Sequence, residues 1–530
     1  MARKKLKFGA LLYLLYITYN HASEINTTQK LSLKETYSDN ITLSKFDKKS
    51  SLVTLVSPGF SSQLNTSKVS LDLNYTLTRA YYSHNHNIDS GYNEGNIDFT
   101  YFTPVDGLSV TLKTGINNVS KNNARNSLAD IVTGDTTETR SVEAGLAYNL
   151  NFPSWTFNSE TILSKNSSAD GIGEREGYKI KLNSSNGVSA RDIFWNMDSN
   201  YSDYENRNLN GTNYRFELTT GLITNLKINP FLRFYDEKLE GNLNRRRIPE
   251  YSSIGVGIRW LANDHLYLDL AYNWVNNVND SISTQSEDRQ NENNISGNLS
   301  WQPSKRTQLK GGFSNRFYGD SYDFNFSHTF KRLSTNINYS ESITAFDRLE
   351  LEESMAEVWC LSETQTDFSD CIIDPQIDID LSDYTLIDSI TVLNPIESES
   401  FSLVKALSIN IGYHFRRSKV EVNASRNKRQ NLSVNNNDYY DRASVSFYRD
   451  LTPRSSLSVN ASFNRNDFNQ NQIDNTQRES LYRFYSLNYS KNLTPSLNLN
   501  VQTSHLNRSS GGRYNAYKEN RLSLLVNKEF

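Results

Sequence analysis

Beyond its amino-terminal end, the 530-residue chain has no apolar run approaching the ~20 residues that a transmembrane helix needs. If the protein crosses a membrane, it crosses as strands. Excess charge of either sign is missing too. Lys and Arg number 56 and Asp and Glu 59, a net charge of -3 at pH 7, which leaves no footprint for nucleic acid. Cysteine is almost absent, with only Cys360 and Cys371. Seven histidines are present, but no HExxH, Ser-His-acid spacing, Gly-rich phosphate loop or paired CxxC accompanies them. The expectation is a chain that is not an enzyme and needs no cofactor or metal. Apolar content is only 36% and mean hydropathy -0.64, yet aromatics reach 12%. A disordered chain would be poor in aromatics. A wide barrel accounts for both values: half of each strand faces a wet lumen, half faces lipid, and aromatic girdles mark the two interfaces.

The positive pattern is alternation with period two. Val69, Leu71, Leu73, Tyr75 and Leu77 alternate with Ser70, Asp72, Asn74 and Thr76. Leu266, Leu268, Leu270, Tyr272 and Trp274 do the same opposite Asp269 and Asn273. Acidic and amide residues at every other strand position are unfavourable unless that face is wet. Tight junctions, such as Pro104 to Gly107, Pro303 to Arg306 and Thr452 to Arg454, alternate with longer polar stretches such as Asn279 to Asn291. This short-long rhythm predicts an all-β fold: a single transmembrane antiparallel up-and-down barrel of about 24 strands (22–26), with short turns in the periplasm and long loops outside. Parity places both chain ends in the periplasm.

The two ends of the chain carry further signals. Arg3, Lys4, Lys5 and Lys7 precede a short apolar stretch and the small residues Ala22 and Ser23, which predicts a signal peptide over 1–23 and a barrel over 24–530. The chain ends in a strand with Leu522, Leu524, Val526 and the terminal Phe530 on one side. Such an ending closes an outer-membrane barrel against its first strand, here Leu31 to Tyr37, and marks Phe530 for the barrel-assembly machinery. Lys528 interrupts the apolar face, a position from which its stem can follow the apolar belt while the ammonium stays wet. Trp260 and Trp274 fall on the lipid-facing register, where girdle anchoring is expected.

One segment departs from the rhythm. The stretch at 347–400 holds fifteen Asp and Glu against the single Arg348, together with both cysteines. Parity makes it a long extracellular loop, and in an exported chain Cys360 and Cys371 are expected to form a disulfide. Inward-pointing cations cluster elsewhere: Lys179, Lys181, Arg215, Lys227, Arg233, Arg259, Lys310 and Arg316. They form either a basic lumen wall, for an anionic polymer or for docking the acidic loop, or a solvated lumen whose cations pair with carboxylates such as Glu217, Asp269 and Asp323. On the first reading the acidic loop folds over or into the lumen and occludes it; otherwise it stands off the barrel, solvated.

The opening "LSLKETYSDNITLS" (Leu31 to Ser44), the following "LVTLVSPGFSSQL" (Leu52 to Leu64) and "WQPSKRTQLKGGFSNRFYGDSYDFNFSHTFKR" (Trp301 to Arg332) resemble outer-membrane barrel proteins associated with PEP-CTERM/exosortase systems. The resemblance runs over essentially the whole mature chain. It implies an exopolysaccharide-linked protein of the bacterial outer membrane and supplies no catalytic residues to carry over. The expected role is a component of exopolysaccharide biosynthesis and export, acting as a passive conduit or docking barrel. The implied partners are outer-membrane lipid and lipopolysaccharide, exopolysaccharide and periplasmic export proteins. A general diffusion porin or nutrient channel, and a non-conducting structural protein of the surface apparatus, are the alternatives.

Overall fold

The computed structural model describes residues 25–45, 48–86, 89–120, 132, 136–168, 174–187, 189–206, 209–224, 226–242, 250–263, 265–279, 293–345, 349–360, 371–373, 385–397, 401–432, 437–468, 478–510 and 516–530. Within these, the side chains at 119–120, 277–279, 345–397, 468, 478–479 and 510 lie outside the description, as does the expected signal peptide.

The first third of the wall is β1 (Ile25–Ser38), β2 (Ser51–Asn65), β3 (Val69–Tyr82), β4 (Ser90–Phe102), β5 (Leu108–Ser120), β6 (Thr136–Asn151), β7 (Trp155–Ser168) and β8 (Arg175–Asn186). The wall continues through β9 (Ile193–Asn206), β10 (Leu209–Leu222), β11 (Ile228–Gly241), β12 (Glu250–Asn263) and β13 (Leu266–Asn279). Next come β14 (Asn294–Ser304), β15 (Thr307–Arg316), β16 (Gly319–Phe330) and β17 (Leu333–Ala345). The acidic segment contributes a separate three-stranded sheet of β18 (Leu349–Cys360), β19 (Cys371–Ile373) and β20 (Thr385–Glu397). The wall resumes with β21 (Phe401–His414), β22 (Ser418–Asn431), β23 (Asn437–Thr452) and β24 (Ser455–Phe468). It ends with β25 (Arg478–Thr494), β26 (Leu497–Ser510) and β27 (Tyr517–Glu529).

Twenty-four of these strands form one antiparallel sheet in which each pairs with its sequence neighbour, and β17 pairs with β21 across the acidic segment. The sheet closes on itself. β1 runs against β27 from Lys30↔Glu529 to Ser38↔Arg521, so the expected seam partner of Leu31 to Tyr37 is the one observed, and no edge strand is left unpaired. At the periplasmic end the connections are short, as at 305–306, 331–332, 453–454 and 495–496. Gly107 permits one of them: it sits at φ +77°, and a Cβ there would lie 2.1 Å from the Asn149 carbonyl oxygen.

Register sorts the side chains. Leu33, Leu52, Val110, Leu146, Val256 and Ile258 point outward and are 39–48% exposed. Trp301, Phe330 and Phe415 ring the periplasmic ends of their strands, whereas Tyr37, Tyr81 and Trp274 ring the opposite ends. So continuous an apolar surface cannot face water in a folded chain. Two aromatic girdles around an apolar belt are the outer face of a membrane barrel, and in bacteria such barrels lie in the outer membrane. Trp260 and Trp274 are outward and 45% and 43% exposed, as the register predicted. Lys528 also lies on the outward register, opposite Leu31. Its Nζ donates to Ser496 Oγ in the periplasmic turn at 2.7 Å, so the ammonium is wet at the belt's edge.

Candidate functional site

The inner face is polar along the wall, and most cations of the candidate basic wall are paired. Arg259 forks onto Asp269 through two 2.7 Å bonds and stacks over Phe194, 3.9 Å from the ring centre. Arg233 meets Glu217 at 2.9 Å and reaches Asn273 at 3.3 Å. Gly255 lies between them and makes that reach possible, since a Cβ there would sit 2.3 Å from Asn273 Oδ1. Arg215 pairs with Asp198, Arg316 with Glu237, and Lys181 with Glu160 at 3.7 Å.

Five of the eight cations in the candidate basic wall are therefore held by carboxylates of other wall strands, Glu217 and Asp269 among them. Asp323 instead faces Gly312 across the β15–β16 ladder. Lys179 and Lys310 lie on the inward register, opposite Ser202 and Asn325. Among the described residues they form no ion pair within 4.0 Å. Lys227 is not a wall residue. β11 begins only at Ile228, so Lys227 is exposed in the β10–β11 turn, and its carbonyl accepts the Leu261 N–H at 2.7 Å. The alternation around Lys227 had suggested a strand position; the turn there is longer than the local pattern implied.

The extracellular half of the interior is built differently. The segment after β1 turns back into the barrel instead of standing outside it. Ile41 is 4% exposed and packs with Val53, Leu55, Ala80, Tyr82, Tyr92 and Val132. Leu43, 6% exposed, packs on the other side of the seam with Tyr482, Leu506 and Tyr517. Between them Asn40 is fully buried. Its amide donates to the carbonyls of Ser44 at 2.8 Å and Lys518 at 2.9 Å, and its Oδ1 accepts the Ser44 N–H at 3.1 Å. Outside this turn Asp39 accepts both the backbone and side-chain N–H of Asn520, at 2.7 and 2.6 Å. The segment clasps both sides of the seam from within. Sequence reasoning missed it, although Ile41 and Leu43, apolar residues within a polar connection, were the available signal.

A second inward element is the β15–β16 hairpin. β16 pairs with β17 only from Phe324 to Phe330, so above that point its tip is free to lean. Phe317, 2% exposed, packs with Tyr235, Leu239, Tyr251, Phe401, Leu403 and Leu432. Arg316 and Glu237 stand four strands apart, about 19 Å along the wall at the usual strand spacing. They meet because the tip crosses part of the lumen. Tyr318 belongs to this tip, and its hydroxyl accepts from Arg316 at 2.8 Å. The clasp, with its two apolar clusters, and the hairpin tip, with a third, thus narrow the mouth from different sides, above a polar shaft.

His84, in the β3–β4 loop, borders the clasp through an edge contact with Tyr82, ring centres 6.0 Å apart. Burial first, and Lys49 second, hold its pKa below the ordinary 6.5. The folded mouth therefore prefers neutral His84, and the unfolded chain binds the proton more readily. Stability from this corner is full above about pH 6.5 and declines as the pH falls toward the folded value. Amide exchange at 39–45 is expected to be faster at about pH 5 than at about pH 7.5 beyond the intrinsic pH effect, and His84→Phe should remove the difference. An equal difference in that variant assigns it elsewhere.

The ladder places Cys360 opposite Cys371. Their side chains, and the question of whether the acidic loop covers the lumen, lie outside the described residues. Among the described residues no group of three or more His, Cys, Asp or Glu side chains is placed to hold a metal ion.

No protein-family model matches the chain, and no curated protein matches it. Solved structures similar in overall course include the FrpB iron transporter from Neisseria meningitidis (F5-1 variant), at 10% identity and TM-score 0.43, over 95% of this chain and 83% of that one. The siderophore receptor PirA from Acinetobacter baumannii is similar at 9% identity and TM-score 0.43, over 95% and 80%. OccK2 (OpdF) from Pseudomonas aeruginosa is similar at 7% identity and TM-score 0.33, over 95% and 98%.

Proposed function

We propose that this outer-membrane barrel is a conduit for exopolysaccharide, narrowed at its outer mouth by the clasp and the β15–β16 tip. The observation that carries the reading is the polar shaft whose candidate wall cations are mostly paired. A wall of amides, hydroxyls and paired ions, such as Asn336, Asn410, Ser327 and Thr329 on β16 to β21, offers hydrogen bonds to a hydroxyl-rich chain without trapping ions of either sign. With most of its cations paired, the wall suits a neutral or weakly charged polymer better than a strongly anionic one. The resemblance in the opening strands and the Trp301 hairpin points to the same cargo. No cofactor is needed, since a polymer can be driven from its synthesis end.

A segment folded into the mouth would equally narrow a diffusion porin, the second reading. Deleting the gene separates the two. The conduit reading expects surface polysaccharide to fall several-fold, with polymer retained in the periplasm and restored by the intact gene. Unchanged surface polysaccharide with lost uptake of a small solute would establish the porin.

A further inference from the structure

The periplasmic rim is electrically lopsided. Five consecutive hairpins, from β14–β15 to β25–β26, present basic residues at or beside their tips. The tips hold Lys305 and Arg306, then Lys331 and Arg332, then Arg416 and Arg417, then Arg454, while Lys491 lies at the lower end of β25. All are exposed, and among the described residues none makes an ion pair within 4.0 Å. The nearby carboxylates are engaged: Glu421 with Lys419, Glu529 with Lys30 at 3.3 Å, and Asp450 with the Tyr448 hydroxyl at 2.8 Å. The other half of the rim, β2 to β13, carries Lys68, Arg191 and Lys227 against Asp106 and Asp192 among the described residues.

Two further features make this arc a surface and not a scatter of charges. Each tip is tied to the next hairpin through its backbone. The carbonyls of Arg306, Arg332, Arg417 and Arg454 accept N–H groups from Thr329, His414, Asp450 and Asn492, at 2.8–2.9 Å. The cations therefore stand on one continuous ledge, on the order of 40 Å long at the usual strand spacing. Four of the tips also adjoin the apolar belt directly. Phe330 (48% exposed), Phe415 (50%) and Leu451 (42%) face outward just before the basic residues, Leu493 (43%) faces outward just after Lys491, and Lys331 Nζ lies 5.3 Å from the centre of the Phe330 ring.

We propose that this arc binds the anionic headgroups of phospholipids in the periplasmic leaflet. An apolar anchor at the acyl boundary with a cation within three residues of it places the charge at phosphate depth. Continuity with the lipid-facing belt favours lipid over a protein as the occupant. Basic phosphate contacts are weakened by salt. The inference is independent of the conduit's cargo.

The test uses the full barrel in phosphatidylcholine vesicles containing a minor fraction of spin-labelled phosphatidylglycerol, with labelled phosphatidylcholine as the reference. The intact chain is expected to immobilise phosphatidylglycerol several-fold more than phosphatidylcholine, and less so at high salt. Neutralising six tip residues (Lys305, Arg306, Lys331, Arg332, Arg416 and Arg417, each to Gln) should abolish the preference. Lys68→Gln/Arg191→Gln/Lys227→Gln should keep it. Heat-dependent gel migration verifies that each variant has folded. Equal immobilisation of both lipids by the intact chain overturns the proposal, including where the same six residues prove necessary for holding an acidic periplasmic protein. So does a preference that survives the six neutralisations.

Discussion

Replacing Ile41 and Leu43 together with serine is expected to raise the single-channel conductance of the reconstituted barrel several-fold. These two side chains hold residues 39–45 inside the mouth, one on each side of the seam. Truncating a buried aliphatic of this size costs about 2–5 kcal/mol, partly through the cavity left behind. The segment's polar ties, Asn40 to Lys518 and Asp39 to Asn520, each contribute only about 0.5–1.5 kcal/mol net. They cannot keep an unpacked segment in place against its gain in chain entropy. The 24-strand ladder is expected to persist, because β1 remains paired with both β2 and β27 over its full backbone register. Planar-bilayer recording is the measurement, with gel migration as the fold control. Conductance equal to that of the intact chain would mean that the segment lines the wall without narrowing the path.

The barrel was legible because its causes are local and repetitive. Period-two alternation, as in Leu266 to Trp274, fixes which face each strand shows to lipid. The tight junctions Pro303 to Arg306 and Thr452 to Arg454 fix which end is periplasmic. The seam followed from the terminal strand alone. The mouth was not legible, because it depends on contacts between residues far apart in the chain. Nothing near Arg316 in sequence indicates Glu237, 79 positions away. Nor does the Asp39–Ser50 connection reveal that Leu43 will lie against Tyr482. The inward cations were found by alternation, but alternation gives only a face. Whether a cation is paired depends on the register of the neighbouring strand, and the two-for-one mismatches between Ser252/Ser253 and Val275/Asn277 show how easily counting across strands slips. Lys227 was misplaced for a related reason, since the alternation continued past the point where the ladder ends.

Glu237→Leu should be the most destabilising single substitution in the mouth. Glu237 is almost fully buried, Arg316 nearly so, and the carboxylate also accepts the Tyr235 hydroxyl at 3.0 Å. Removing it strands a guanidinium among Phe317, Tyr235 and Tyr251, and breaking one side of a buried pair costs about 3–5 kcal/mol. The β15–β16 tip has no ladder to β17 above Phe324 to resist the change. It should swing away from β11, with faster amide exchange at 315–320 and a lower urea midpoint in detergent micelles. The double variant Glu237→Leu/Arg316→Met tests the cause. It removes both charges from a site already lined by aromatics and leucines, and replacing a buried pair by apolar groups is often neutral or stabilising. The double variant should therefore recover most of the loss and return slow exchange to the tip. If it is as unstable as the single variant, the pair positions the hairpin in a way apolar packing cannot replace. If the single variant loses nothing, Phe317 alone holds the tip across the lumen.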